Sequence, residues 1–316
     1  MELFCNVTRG SNIESYHHVN VVAIDESGKI IVSSGNHKLI TCIRSSLKPF
    51  QASVVISEGA ADSARFSEQE ISLMCASHNG EKIHVNTARK MANKIGCSIH
   101  KYECGSHPPY DAVSRDRARK AGFTPFHNNC SGKHSGMLAL AKYLHVPLEG
   151  YINADHPVQK KISKKLKSLL GGREIQYGID GCSLPTPFLS LIEIAQIFQK
   201  LGSNDHPELK RAYNAMAKHP YMVGGKERFD TDFNAALKSR GITKVGGEAV
   251  RGMVIQTEQY GLVGIAQKIT DGNPRANEVA IMAVLGHLGL LLPDEKEKLQ
   301  KYIKKPIYNH RKILIG

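Results

Sequence analysis

The stretch Arg44-Ser45-Ser46-Leu47-Lys48-Pro49-Phe50 sets a serine three residues ahead of a lysine. At a helix start that spacing puts both side chains on one face. A serine hydroxyl hardly ionises near neutral pH, so it becomes a nucleophile only beside a base, and an amine one turn along the same helix supplies one. Alone, the pattern also describes a helix cap followed by a solvated lysine. Two further pieces stand downstream, Ser77-His78-Asn79 and Lys244-Val245-Gly246-Gly247. Singly they read as a polar loop and a surface lysine. Together the three motifs supply two hydroxyls and two amines for acyl transfer. Ser45 would attack a carbonyl carbon while Lys48 takes its proton, which requires a neutral amine. Lowering a lysine from about 10.4 to about 7 takes roughly 4 to 5 kcal/mol, which burial and a second cation can provide. Lys244 would be that cation, and a Ser77 to Lys244 hydrogen bond would relay protons to the leaving group. Backbone N–H groups at Ser45 and around Gly246 or Gly247 would hold the oxyanion, since glycine lets a backbone approach closely.

A second cluster has metal-ligand character. Asn128-Asn129-Cys130-Ser131-Gly132-Lys133-His134-Ser135-Gly136 opens a helix, and Gly178-Ile179-Asp180-Gly181-Cys182 is a polar, glycine-marked loop. Neither carries a Cys-x-x-Cys pair, so spacing alone leaves both zinc ligation and two half-buried thiols open. Gly132-Lys133-His134-Ser135 lacks the earlier glycine and the hydroxyl after lysine that a Walker loop needs, which excludes ATP binding on that pattern.

The elements that must position these residues can be read from periodicity. His18 to Ile24 and Lys29 to Ser33 flank the turn cluster Asp25-Glu26-Ser27-Gly28, and Val250 to Thr257 and Leu262 to Thr270 flank Glu258-Gln259-Tyr260-Gly261, so a hairpin is expected near each end. Lys244 is expected to open the strand that begins the second hairpin. Between them the pattern is helical: a capping box at Ser67-Glu68-Gln69-Glu70, then Val85 to Ile95, Asp155 to Leu170, Leu189 to Leu201, Pro207 to Ala217 and Thr231 to Ser239, with Ala276 to Leu291 closing the set. The expected fold class is α+β: one antiparallel sheet from residues 1–43 and 242–292, flanking helices, and an inserted, mainly helical region over 44–241. No repeat or linker divides the chain, so 1–316 is expected as a single domain.

A hydrophobic fraction of 41% over 316 residues suffices for a proper core. The formal charge of +13 invites a nucleic-acid reading. Its excess, however, sits in Lys160, Lys161, Lys164, Lys165 and Lys167 and in Lys296, Lys298, Lys301, Lys304 and Lys305, spaced as solvated helix faces without a recognition motif. No nucleic-acid or membrane partner is expected. The first residues, Met1-Glu2-Leu3-Phe4-Cys5-Asn6, lack the regions of a secretory signal, and seven cysteines at positions 5, 42, 75, 97, 104, 130 and 182 suit a reducing compartment. A cytoplasmic location is the expectation.

Ser-x-x-Lys, Ser-x-Asn and Lys-x-Gly in this order resemble the motif set of penicillin-binding proteins and serine β-lactamases. Val245 stands where those proteins usually have a hydroxyl residue, and the interval from Lys48 to Ser77 is shorter than usual. Taken with Gln51, Gly80-Glu81, Asn129-Cys130-Ser131-Gly132-Lys133-His134, Asp180-Gly181-Cys182 and Glu248, the chain resembles, nearly end to end, the Rhizobium-type L-asparaginases, the thermolabile asparaginase II family. The resemblance implies a serine β-lactamase-like fold, Ser45 and Lys48 as one catalytic pair, and Ser77 with a later lysine as the other. Lys244 is taken as that lysine, with Lys268 the competing assignment. It further implies L-asparagine as substrate, an acyl-enzyme, glutamine as a poor substrate, a homodimer, and Zn2+ on Cys130, Lys133 and Cys182 in a supporting role. A lysine ligand is unusual because the metal must displace an ammonium proton. Asn79, Asp180, Gly246 and Gly247 are expected on the substrate, Asp180 at its α-ammonium. The competing readings are a β-lactamase-like or penicillin-binding acyl-serine enzyme and a basic binding protein with a structural zinc.

Overall fold

The computed structural model describes residues 2–316. Its strands, in chain order, are β1 (Leu3–Arg9), β2 (Asn12–Ile24), β3 (Ile30–Ser34), β4 (Ile40–Cys42), β5 (Tyr177–Ile179), β6 (Pro185–Ser190), β7 (Gly241–Val245), β8 (Val250–Thr257) and β9 (Gly261–Ile269). The chain divides into two compact units. The first comprises Met1–Ser46, Leu189–Gln199 and Thr243–Gly316; the second comprises Leu47–Phe188 and Lys200–Ile242.

The first unit is built on an antiparallel sheet in the order β1-β2-β9-β8-β7, with β3 also paired to β2. Both expected hairpins form. Asp25 makes the first turn by accepting the amides of Ser27 and Lys29 on Oδ1, each at 3.0 Å. In the second, Thr257 pairs with Gly261, and the Thr257 hydroxyl accepts the Tyr260 amide at 3.0 Å. Val19, Val22, Val263 and Ile265 are fully buried, so this sheet carries the unit's core. Two glycines let a helix lie close upon it: a Cβ at Gly252 would stand 2.0 Å from the Phe198 ring, and one at Gly264 would stand 2.3 Å from the Ala195 carbonyl.

Lys244 is placed differently from the sequence expectation. It lies on β7, a strand of its own, and the chain reverses through Gly246–Ala249 before β8 begins. The reversal follows from Glu248 at φ +56° and Ala249 at φ +52°, with the Gly246 amide donating to the Val250 carbonyl at 2.8 Å. The first strand, β1, was not expected. It pairs with the leading half of β2, where exposure at Phe4, Ile13 and Tyr16 blurs the alternation that marks a half-buried strand. Lys304 and Lys305 fall outside the helical stretch, since the helix Pro293–Leu299 passes into a short turn ending at Tyr302.

The second unit is mainly helical. Its capping box forms as the sequence dictates, Ser67 N–H donating to Glu70 and Glu70 N–H to the Ser67 hydroxyl. The helix Lys82–Lys94 begins three residues before the expected start, because its polar first turn hides from an apolar-period reading. The hairpin of β5 and β6 is masked in the sequence by Pro185 and Pro187, which demote a strand pattern. Helix Ser131–Tyr143 crosses helix Glu68–Met74 closely: a Cβ at Gly132 would stand 2.2 Å from the Leu73 carbonyl oxygen, and one at Gly136 would stand 2.5 Å from the Met74 sulfur. Those glycines therefore set the depth of Lys133 and of the Ala76–Asn79 segment. On the helix Pro157–Leu169, Lys161, Lys165 and Lys167 pair with Glu58, Glu208 and Glu174 at 2.8, 2.5 and 2.8 Å, which offsets much of its positive charge. Among the described residues no helix is long and apolar enough to cross a membrane.

The close crossing gives a stability prediction. Gly132→Ala forces the two helices apart and should cost at least about 2 kcal/mol in urea unfolding. Gly286→Ala, on an open helix face with nothing within 4 Å, should leave stability unchanged or raise it by up to about 1 kcal/mol.

Candidate active site

In the first unit, Ser45 lies in a 3-10 turn, Arg44–Leu47, entered through Arg44 at φ +52°. A non-glycine residue there is strained, so the turn is held by its surroundings rather than by its own preference. The surroundings are the end of β7. Ser46 donates its hydroxyl to the Lys244 carbonyl at 2.8 Å. A Cβ at Gly246 would stand 2.6 Å from the Ile43 carbonyl and 3.1 Å from the Ser46 hydroxyl, and one at Gly247 would stand 3.0 Å from the Arg44 guanidinium carbon. Both glycines are needed for this close backbone approach, which sets the Lys244–Gly247 segment alongside the Ser45 turn. Lys244 is completely buried and donates to the Val245 carbonyl at 2.7 Å. Gly246 spends its amide on Val250, which leaves Gly247 as the candidate oxyanion donor on this segment.

In the second unit, Lys48 begins the helix Lys48–Ser57, and Pro49 occupies the first turn, where its missing N–H breaks no helical bond. The amine is fully buried. It donates to the Ala76 carbonyl at 2.5 Å, the Ser77 hydroxyl at 3.0 Å and the Asn129 carbonyl at 3.4 Å. Burial pushes its pKa below the ordinary lysine value, and the Lys133 cation adds to that, while the Cys130 and Cys182 sulfurs oppose it. Motif order pairs Lys48 with Ser45 and Ser77 with Lys244; the serine hydroxyl that the Lys48 amine bonds is that of Ser77. No spacing rule announced that contact, because it depends on where the Glu68–Met74 helix stops.

The expected substrate residues divide. Asn79 is engaged on both ends of its amide, donating to the Lys226 carbonyl at 2.9 Å and accepting from Arg228 at 2.9 Å, so it braces a loop. Asp180 is half-buried and accepts the Gly181 amide on Oδ1 at 2.8 Å. Arg228 itself, lying over the Tyr110 ring at 5.7 Å, was not singled out by any sequence signal. Neither was Asn129 as a partner of Lys48.

Cys130, Lys133 and Cys182 lie close to one another. The Lys133 amine donates to the Cys182 sulfur at 3.1 Å. A hydrogen bond from the Cys130 thiol lowers Cys182 to about 5, Lys133 assisting against burial, and the same bond pushes Cys130 up to about 12. Burial opposes the charge on Lys133, yet the two sulfurs and the Asp180 carboxylate outweigh it and hold the amine above its ordinary value. Among the described residues no three His, Cys, Asp or Glu side chains gather around one point, so a metal here would rest on two sulfurs and one amine. Two soft sulfurs, one already a thiolate, fit zinc in number and softness. The amine fits only after giving up the proton that its ion pair with Cys182 retains.

These features define an α+β protein that keeps one serine hydroxyl, that of Ser77, beside a buried lysine amine, that of Lys48, a pairing suited to proton transfer in acyl chemistry. The chain belongs to the L-asparaginase II family, whose model matches residues 5–316. No curated protein matches it. Among solved structures it is similar to a class A beta-lactamase from Mycobacterium abscessus, with a TM-score of 0.43 and 13% identity over 86% of this chain and 94% of that one. It is also similar to a beta-lactamase from Burkholderia ambifaria, at 0.41 and 12% over 87% and 96%. A representative class A beta-lactamase from Bacteroides cellulosilyticus stands at 0.44 and 10% over 91% and 92%. Likenesses of that strength carry no argument about mechanism.

The thiolate offers a direct check. In metal-free protein, ultraviolet thiolate absorbance should titrate with a midpoint of about 5, the ion pair with Lys133 being lost as the pH falls through it. Lys133→Met should move that midpoint toward the ordinary thiol value of about 8.5.

Proposed function

We propose that the protein is an L-asparagine amidohydrolase working through serine and lysine side chains. The observation that carries this reading is the fully buried Lys48 amine, 3.0 Å from the Ser77 hydroxyl, in a chain matched to the L-asparaginase II family over residues 5–316. Desolvation favours the neutral amine, the form a general base needs.

In this reading Ser45 Oγ adds to the side-chain amide carbon of asparagine and its proton passes to Lys48. The oxyanion is held by the Ser45 and Gly247 amides. The C–N bond then breaks as a proton passes from Lys48 through Ser77 to the nitrogen, with Lys244 the amine proposed to assist that relay. Ammonia departs and an aspartyl ester remains on Ser45. Water, deprotonated by the same amine, adds to the ester carbon, and collapse returns the proton to Ser45 and releases aspartate. One asparagine and one water give one aspartate and one ammonia. Asp180 would meet the α-ammonium group. Zinc on Cys130, Lys133 and Cys182 would supply a Lewis-acid contact to a polar group of the substrate when bound. A homodimer accompanies the proposal on the family resemblance, and a cytoplasmic location on the cysteine usage.

Ammonia release should be seen with L-asparagine and only weakly with L-glutamine. Ser45→Ala, Ser77→Ala and Lys244→Ala should each lower kcat by about a thousandfold or more, as loss of members of a mutually dependent catalytic set does. Covalent labelling of Ser45 by a fluorescent penicillin without ammonia release would instead favour the β-lactam reading.

The pH profile follows from the direction of the Lys48 shift. Because activity requires the unprotonated amine, kcat should be low in acid and rise to a plateau with an apparent pKa below the ordinary lysine value of 10.5. An acid limb still climbing at that value would place the base elsewhere.

A further inference from the structure

Lys268 competes with Lys244 in the sequence for the second catalytic amine, yet it makes a different set of contacts. It sits on β9 opposite Val250 of β8. Its half-buried amine donates to the Glu248 carbonyl at 2.6 Å and to the Ile269 carbonyl at 2.5 Å. Glu248 and Ala249 are the central residues of the turn after Gly247, and both are left-handed at φ +56° and +52°. That conformation suits glycine or asparagine and is strained for glutamate and alanine. Of the two bonds that close the turn on itself, the Gly246 amide reaches the Val250 carbonyl at 2.8 Å, but the one that holds Gly247, from the Val250 amide to the Gly247 carbonyl, is stretched to 3.5 Å. The carbonyls of its two left-handed residues are held from β9. The Ile269 amide donates to Ala249 at 3.2 Å, and the Lys268 amine fixes the adjoining carbonyl. The Glu248 carboxylate meanwhile lies against Gly272, where a Cβ would stand 2.3 Å from Oε2.

We propose that Lys268 is a positioning residue, whose bond to the Glu248 carbonyl holds the strained turn and thereby fixes Gly247 beside the Ser45 turn. It acts on the reaction through the Gly247 amide and not as an acid or base. Its catalytic consequence rests on the amidohydrolase reading above; its structural consequence does not. A small displacement of an oxyanion donor is costly because the donor must already be in place when charge develops.

The test uses the full chain with Lys268→Met and Lys268→Arg, adding Lys268→Gln should the Met variant not fold. Amide hydrogen exchange at Gly246, Gly247 and Val250 should quicken by about tenfold or more in Lys268→Met and remain near wild type in Lys268→Arg. With asparagine, kcat should fall by about 10- to 100-fold in Lys268→Met while KM changes less than about threefold. Lys268→Arg, which still donates to a carbonyl, should recover kcat to within about threefold. Unchanged exchange in Lys268→Met overturns the proposal. So does a Lys268→Arg variant as impaired as Lys268→Met, the result expected of a catalytic base. Should wild type release no ammonia from any amide, the amidohydrolase reading falls, and the exchange measurement still decides the role of Lys268.

Discussion

Removing a lysine amine from water is the constraint on which the candidate site depends. Two such amines lie in the helical unit, each essentially buried, and their surroundings drive them apart. Lys48 meets two backbone carbonyls and a hydroxyl, none of them charged, so desolvation prevails and its pKa falls. Lys133 meets the Cys182 sulfur at 3.1 Å with Asp180 near, so attraction prevails and its pKa rises. A pair of like groups with opposed shifts is what separates a base from a fixed cation. The fixed cation pushes Lys48 toward its neutral form, while the Cys130 and Cys182 sulfurs of the same cluster oppose it. The sulfur cluster thus bears on the candidate base electrostatically, independently of any metal.

The architecture that buries Lys48 was partly legible in the sequence. Glycine and proline punctuation and the capping box at Ser67 mark helix ends through local physics, and local physics survives in a linear reading. Two-residue alternation around a turn cluster likewise gave both hairpins. Lys244 was assigned to the wrong strand because nothing in Lys-Val-Gly-Gly-Glu-Ala signals a reversal carried by glutamate and alanine in left-handed conformations. Gly132 read as part of a failed phosphate loop, whereas it and Gly136 make the close crossing against Leu73 and Met74. The contact between Lys48 and Ser77, like the clamp of Arg228 on Asn79, joins residues set by tertiary packing, and no spacing rule reaches across such distances.

Strain collects on one rim of the sheet unit. Arg44, Glu248 and Ala249 are all left-handed; Arg44 adjoins Ser45 and Glu248 adjoins Gly247, the residues proposed to handle the oxyanion. Such positions cost on the order of 1 to 3 kcal/mol each, so each needs outside contacts to hold it. Gly247 lies against the Arg44 guanidinium on one side and leads into the propped turn on the other. A donor mounted between two strained residues has little freedom to drift, because relaxation of either would break the hydrogen bonds that compensate the strain. Rigidity is therefore obtained here without a long ladder of strand pairing, on the short Gly246–Ala249 segment.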